Sequence, residues 1–338
     1  MKRYNLAILG ATGAVGQTML KVLEERNLPI KELRLLASER SVGKTMRYQN
    51  QDLTIQLADE HAFEGIDIVL SAVENDIALA LCPYAVEAGA IVIDNSSAFR
   101  LQKDIPLVVP EVNASDIPKT GGIIANPNCS TIIAMVAVHA LHQYATIKRM
   151  IVSTYQAVSG AGTNGIAELA DQAKAIVSGD PVQTKTFPYQ IAFNIIPQIG
   201  GFDEEGYTSE EMKLWHEGRK ILHAPGLQVS CTCVRIPVYT SHSEAITLEF
   251  EQEIDAVKAR EILKQAAGVK LVDDPSNQKY PMPLDTSDQD LVYVGRIRND
   301  LSNPKYGLSL WCCGDQLRKG AATNAIQIAE AWIAKQAS

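Results

Sequence analysis

The chain of 338 residues lacks the cysteine spacing of zinc sites and the cysteine density of secreted disulfide scaffolds. Its six cysteines (82, 129, 231, 233, 312 and 313) include no CxxC pair, which favours reduced thiols in the cytoplasm, predicts no metal site, and leaves room for one reactive thiol. Positive charge is also in deficit. A net charge of −8 and a pI near 5.4 exclude general attraction to nucleic acid or anionic membrane, so any anion site must be built locally. Long apolar runs are missing: "MKRYNLAILG" opens with two basic residues, but Gly10, Thr12 and Gly13 interrupt it before a signal core or membrane span could form. The amino terminus therefore reads as structural and the protein as cytoplasmic. Repeats, low-complexity tracts and an obvious linker are absent too, so a domain join has to be found from a change of pattern.

What is present suffices for two substantial domains, since 46% of residues are apolar and 21% charged. From Tyr4 to about Ile93, short apolar runs ("NLAILG", "IDIVLSAV", "AIVIDNS") alternate with helical patterns ("VGQTMLKVLEE", "IALALCPYAVEAG"), the rhythm of βαβ units and a parallel sheet. After the helical "STIIAMVAVHALHQY", in which His139 and His142 ride an amphipathic pattern, longer alternating strands follow ("RMIVSTYQAVS", "QVSCTCVRIPV", "EAITLEFEQEI"). The second region is thus α+β with a mixed or antiparallel sheet. In the tail, Ala321, Ala325, Ile328, Ala329, Trp332 and Ile333 share one helical face and should pack against a core.

The first strand runs into Gly10, Thr12, Gly13, Ala14, Val15 and Gly16 and then a helix, where backbone amides and a helix amino terminus can hold a pyrophosphate. The spacing is GxxGxxG rather than GxGxxG, and many such loops are only tight turns; the strand before and helix after favour dinucleotide binding. After the second strand, Ser38, Arg40 and Ser41 suit the 2′-phosphate of NADP, while Glu39 can instead accept from the free ribose hydroxyl of NAD.

Asn126-Pro127 biases the chain away from helix and the apolar periodicity begins after Ser130, so Cys129 should sit at a helix amino terminus, where the dipole favours thiolate. Most cysteines are small buried hydrophobes, but polar neighbours and the domain join tilt this one towards chemistry. Among six histidines, His242 in "VRIPVYTSHSEAITLEF" stands between two strands, seven residues after Arg235, and suits proton transfer.

Eleven stretches in order ("GATGAVG", "ASERSVGK", "IDNSSAFR", "PLVVPEVN", "PNCST", "STYQAVSGAG", "IAFNIIPQIG", "YTSEEMK", "CVRIPVYTSHSE", "VGRIRND" and "KGAATNA") resemble aspartate-semialdehyde dehydrogenases over essentially the whole chain. The resemblance implies an NADP-binding Rossmann-like domain over 1–128, completed by the helix 316–338, and a catalytic and dimerisation domain over 129–315 in a homodimer or homotetramer. It implies a phosphorylating reduction of 4-phospho-aspartate to the 4-semialdehyde through a thioester on Cys129, with His242 as acid and base and Gln156 orienting the substrate. Arg235 would hold the substrate carboxylate and Glu210 its ammonium group, while Arg100, Asn128 and Lys213 would bind phosphate. Ser159, Gly160 and Gln316 would approach the cofactor. One stretch departs from the family pattern: Val73-Glu74-Asn75-Asp76 replaces a small or glycine-containing segment beside the nicotinamide. The alternatives are an N-acetyl-glutamyl-phosphate reductase, which shares the thiol chemistry but binds an acylated amine, and a non-catalytic Rossmann paralogue.

Overall fold

The computed structural model describes residues 2–337 and divides the chain into two compact units. One holds the described residues up to Asn128 together with those from Ala321 onward; the other is Cys129–Gly320.

The first unit runs through β1 (Tyr4–Leu9), α1 (Ala14–Arg26), β2 (Ile30–Ala37), β3 (Thr45–Tyr48), β4 (Gln51–Leu57), β5 (Ile68–Ser71), α2 (Asn75–Glu87), β6 (Ile91–Asp94), α3 (Pro110–Asn113) and β7 (Gly122–Ala125). Its sheet has the order β3-β4-β2-β1-β5-β6-β7. Its strand pairs are parallel except β3 with β4, which is antiparallel. The central strands read as unbroken apolar runs because both faces are covered, as in "IVLS" and "IVID", where every residue is buried. The βαβ rhythm did not foresee the β3–β4 hairpin. Its two-residue turn is Gln49-Asn50, both at positive φ (45° and 64°), so a type I′ turn forms without the glycine that normally announces one.

The second unit comprises α4 (Cys129–Ala145), β8 (Ile147–Gln156), α5 (Gly162–Ser178), α6 (Ser209–Ile221), β9 (Gln228–Arg235), β10 (His242–Phe250), α7 (Ala256–Leu263), β11 (Val269–Leu271), α8 (Pro283–Thr286), β12 (Val292–Asn299) and β13 (Gly307–Gly314). Its sheet, β11-β12-β13-β10-β8-β9, is mixed: β8 with β9 and β11 with β12 are parallel, the other pairs antiparallel. α4 is buried all round through its first turns rather than amphipathic, because it packs on α6, α7 and four strands of this sheet. His242 is the first residue of β10 rather than part of the loop before it.

The chain then returns to the first unit as α9 (Thr323–Ala337). Ala325, Ile328, Ala329 and Trp332 join the core made by β1, β5, β6 and α1, with Trp332 edge-on to Tyr4 at 5.9 Å. An ion pair of Arg26 with Glu330, 2.7 Å long, ties α9 to α1.

Glu244 on β10 is fully buried, and neither carboxyl oxygen has a hydrogen-bond partner. Burial, then the neighbouring Cys233, pushes its carboxyl well above the usual carboxylate range. The folded protein therefore holds a proton there that the unfolded chain releases above about pH 4.5, and stability from this site falls as pH rises. Glu244→Gln should remove up to about 1.4 kcal/mol per pH unit from the downward slope of stability above pH 5. Denaturation at several pH values checks this, and parallel curves for variant and native protein would refute it.

Candidate active site

In the first unit, β1 delivers the chain to Gly10 at φ +86°, where a Cβ would meet the Ala72 carbonyl oxygen at 2.5 Å. At Gly16 a Cβ would lie 2.3 Å from the Gly10 carbonyl oxygen. Both glycines are required by this close approach. α1 starts after Gly13 with no side-chain cap and no acidic residue in its first turn, so its positive end is undiminished for an anion. β1 lies between β2 and β5, where the strand order reverses, which is the crevice that such sheets use for nucleotides. Ser38, Arg40 and Ser41 follow β2 in an exposed or half-buried 3-10 turn, Glu39–Ser41. These residues fit a dinucleotide. The unusual segment Val73 to Asp76 forms the turn from β5 into α2: Val73 packs beside Gly10, and Asn75 accepts from the Ser97 backbone at 2.9 Å. Arg100, also in this unit, is buried and donates to the carbonyls of Asn126 (3.0 Å) and Asn95 (2.7 Å). Asn128 is the unit's last residue before the crossing into α4.

The second unit gathers Gln156, Glu210, Lys213, Arg235 and His242. Gln156 and Arg235 face each other across β8 and β9, and β10 pairs with the other edge of β8, so His242 enters on the third neighbouring strand. On α6, a capping box between Thr208 and Glu211 fixes the helix start, and Glu211 also accepts from the Cys233 backbone at 2.9 Å, which binds the helix to β9. That start presents Glu210, whose oxygens accept from Gln156 Nε2 (3.1 Å) and Lys213 Nζ (3.0 Å). Thr154 Oγ1 donates to the Gln156 oxygen at 3.1 Å, so the amide orientation is set from both ends.

Arg235 is buried and donates from Nη1 to the Ala157 carbonyl at 2.6 Å. Burial draws its pKa down, while the charges of Glu210, Cys129 and Cys233 push it up; the guanidinium stays charged. His242 is fully buried, and its Nδ1 accepts from the Ala157 backbone amide at 3.1 Å. Burial first and the Arg235 charge second lower its pKa to about 3, against an upward pull from Glu210. Gly160 makes room for both groups: a Cβ there would lie 2.7 Å from Arg235 Nη1 and 3.5 Å from His242 Nε2.

Cys129 is the first residue of α4. Gly320 lies so close that an added Cβ would stand 2.9 Å from the Cys129 Cβ. Ser159 accepts from the Gln316 side chain, whose oxygen takes the Ser241 backbone amide at 2.8 Å, so Gln316 braces this loop. The groups brought together in this unit can hold a carboxylate at Arg235 and a cation at Glu210, beside a thiol at a helix start. Ala157 and Gly320 escaped the sequence reading. Ala157 acts only through its backbone, which leaves no trace in a side chain, whereas Gly320 stands inside "KGAATNA" and is a glycine for steric reasons. Among the described residues, no group of His, Cys, Asp or Glu is arranged to hold a metal, and no helix is long and apolar enough to cross a membrane.

Residues 5–120 match the family model described as semialdehyde dehydrogenase, NAD binding domain, and residues 138–319 match semialdehyde dehydrogenase, dimerisation domain. The chain is 52% identical over 332 residues to an aspartate-semialdehyde dehydrogenase of Aquifex aeolicus, covering 97% of each chain. It superimposes with TM-score 0.96 and 46% identity on aspartate semialdehyde dehydrogenase II of Vibrio cholerae complexed with ASA, covering 99% of each. The enzyme of Candida albicans with NADP matches at TM-score 0.77 and 27% identity, covering 99% of each.

Cys129 is half-buried, whereas Cys82, Cys231, Cys233, Cys312 and Cys313 are buried. Burial pushes the thiols of Cys82 and Cys313 up to about 12 and raises Cys312 as well. Brief iodoacetamide exposure should therefore label Cys129 at least about tenfold faster than any other cysteine. Peptide mapping that found Cys82 or Cys312 labelled first would reject this.

Proposed function

Because the chain belongs to the aspartate-semialdehyde dehydrogenase family, we propose that it interconverts 4-phospho-L-aspartate and L-aspartate 4-semialdehyde with NADP and phosphate, in the biosynthesis of lysine, threonine and methionine. The observation that carries the substrate is the buried Glu210 carboxylate beside the buried Arg235 guanidinium in the unit that begins with Cys129. An amino acid with free ammonium and carboxylate groups matches that pair of opposite charges. An acylated amine offers Glu210 no cation, which sets the N-acetyl-glutamyl-phosphate reductases aside.

Cys129 is the nucleophile: its thiolate attacks the acyl phosphate, phosphate departs, and a thioester remains, so that one difficult reduction becomes two easier steps. Arg235 holds the α-carboxylate with its planar fork, Glu210 holds the ammonium group, and Gln156 orients the carbonyl that reacts. Arg100, Asn128 and Lys213 receive the phosphate. The loop of Gly10, Thr12, Gly13, Ala14, Val15 and Gly16, the trio Ser38, Arg40 and Ser41, and the brace of Ser159, Gly160 and Gln316 hold the dinucleotide, which supplies the hydride when bound. Arg40 and two hydroxyls favour NADP over NAD. The protein works in the cytoplasm as a homodimer or homotetramer, a reading that cysteine spacing without CxxC pairs and a match to a dimerisation domain support.

A steady-state assay with aspartate semialdehyde and phosphate should reduce NADP in preference to NAD. Turnover confined to N-acetyl-glutamate semialdehyde would refute the substrate. Cys129→Ala should lose at least about a thousandfold in kcat, and an active variant would leave the covalent route and the catalytic reading without support.

Arg235→Lys keeps the charge but not the fork, and Gly160→Ala pushes a methyl group into the guanidinium. Each should raise KM for aspartate semialdehyde about tenfold, a loss of about 1.4 kcal/mol in binding. Unchanged constants in both would remove Arg235 from the site.

A further inference from the structure

We infer that Asn126 is a positioning residue for phosphate: its side-chain amide locks together the two strand ends whose carbonyls orient Arg100. The inference rests on the proposed role of Arg100 in receiving phosphate, and adds to it a residue that acts through Arg100 alone.

β6 and β7 run side by side in parallel with Asp94 opposite Ala125, so Asn95 and Asn126 are the next residues beyond the two strand ends. Ligands of such sheets bind beyond the carboxyl ends of the strands. The backbone amides of both residues still bond along the sheet, Asn95 to the Ser71 carbonyl at 3.0 Å and Asn126 to the Asp94 carbonyl at 2.7 Å. Their own carbonyls turn to Arg100 instead. Asn126 O accepts from Nε at 3.0 Å and Asn95 O from Nη2 at 2.7 Å. Two acceptors on one edge of a planar guanidinium fix both its plane and the direction of its fork. The aim of Arg100 therefore depends on how these two carbonyls stand relative to each other.

Side chains set that relation. Asn126 Nδ2 donates to Asn95 Oδ1 at 2.8 Å and to the Ala321 carbonyl at 3.3 Å. Asn126 Oδ1 accepts from Asn324 Nδ2 at 2.7 Å, and Asn324 Nδ2 also reaches the Val108 carbonyl at 3.0 Å. Asn95 Nδ2 closes the ladder on the Ser71 carbonyl at 2.7 Å. Each of the three amide nitrogens thus meets a backbone carbonyl, which can only accept, so the orientation of every amide follows from its partners. Asn126 is buried and uses both its side-chain oxygen and its side-chain nitrogen in this ladder. The bonds run from the end of β5 through β6 and β7 to α9, yet the two inner members are the residues that hold Arg100. Alanine at 126 would keep the carbonyl that Arg100 binds but release it from Asn95 and Asn324. Arg100 would remain charged with its fork misdirected, so the loss should fall on phosphate and spare the other ligands.

Calorimetry with inorganic phosphate, together with steady-state KM values, tests this. Asn126→Ala should weaken phosphate binding and raise KM for phosphate about tenfold, with KM for aspartate semialdehyde and the dissociation constant of NADP within about twofold of native. Asn324→Ala, which removes one bond of Asn126 from the α9 side, should weaken phosphate about threefold with the same selectivity, and decides the matter if Asn126→Ala does not fold. Arg100→Lys keeps the charge but has no edge for the two carbonyls, so it should weaken phosphate, and adding Asn126→Ala to it should change phosphate binding by less than about twofold. A structural role alone would weaken all ligands together, or would add in full to Arg100→Lys; either result overturns the inference. Native phosphate binding in Asn126→Ala, beside weakened binding in Arg100→Lys, overturns it while leaving Arg100 in its role. Native phosphate binding in Arg100→Lys would refute that role, and the inference with it.

Discussion

A guanidinium does not surrender its charge, so burying Arg235 constrains everything around it. The carbonyl of Ala157 must turn towards it, Glu210 must answer its charge, and residue 160 must be a glycine. The histidine beside it cannot readily become a second cation. These requirements are met by the backbone of a single residue and a single helix start, which is why so few side chains define the site. A charge left uncompensated there would cost several kcal/mol, more than a typical single substitution and a large share of a domain's stability.

The mixed sheet supplies the rigidity. Register across β9, β8 and β10 sets Arg235, Gln156 and His242 on neighbouring strands with no loop flexibility between them. One residue pair further from the strand ends, Cys233, Thr154, Glu244 and Cys312 continue the same register. Polar and ionisable groups thus reach unusually far into the apolar layer, and Glu244 is kept there without hydrogen bonds at a cost to stability.

Much of this was legible beforehand, and for identifiable reasons. Unbroken apolar runs reported a parallel sheet, and Pro127 with the apolar periodicity after Ser130 located the helix that begins at Cys129. The hairpin at Gln49-Asn50 was not legible because its left-handed turn uses neither glycine nor Asn-Gly. α4 looked amphipathic because His139 and His142 mark only its last turns, while neighbours on every side bury the rest. Gln156, Glu210 and Arg235 carried signals only through resemblance, since no local rule distinguishes a buried charge from a solvated one. The role of Ala157 had no signal, because peptide groups are the same in every residue but proline. That residue 160 has to be a glycine to leave room for Arg235 and His242 had no signal either, because the close approach comes from two other strands.

The return of α9 to the first unit has a consequence for synthesis on the ribosome. Cys129–Gly320 is continuous in sequence, but the first core is missing Ala325, Ile328, Ala329 and Trp332 until a helix made after the whole second unit has emerged. Nascent chains usually complete their domains from the amino end. Here the order is inverted: the later unit can close while the earlier one still exposes the apolar groove that α9 fills, and the nucleotide loop gains its finished support last.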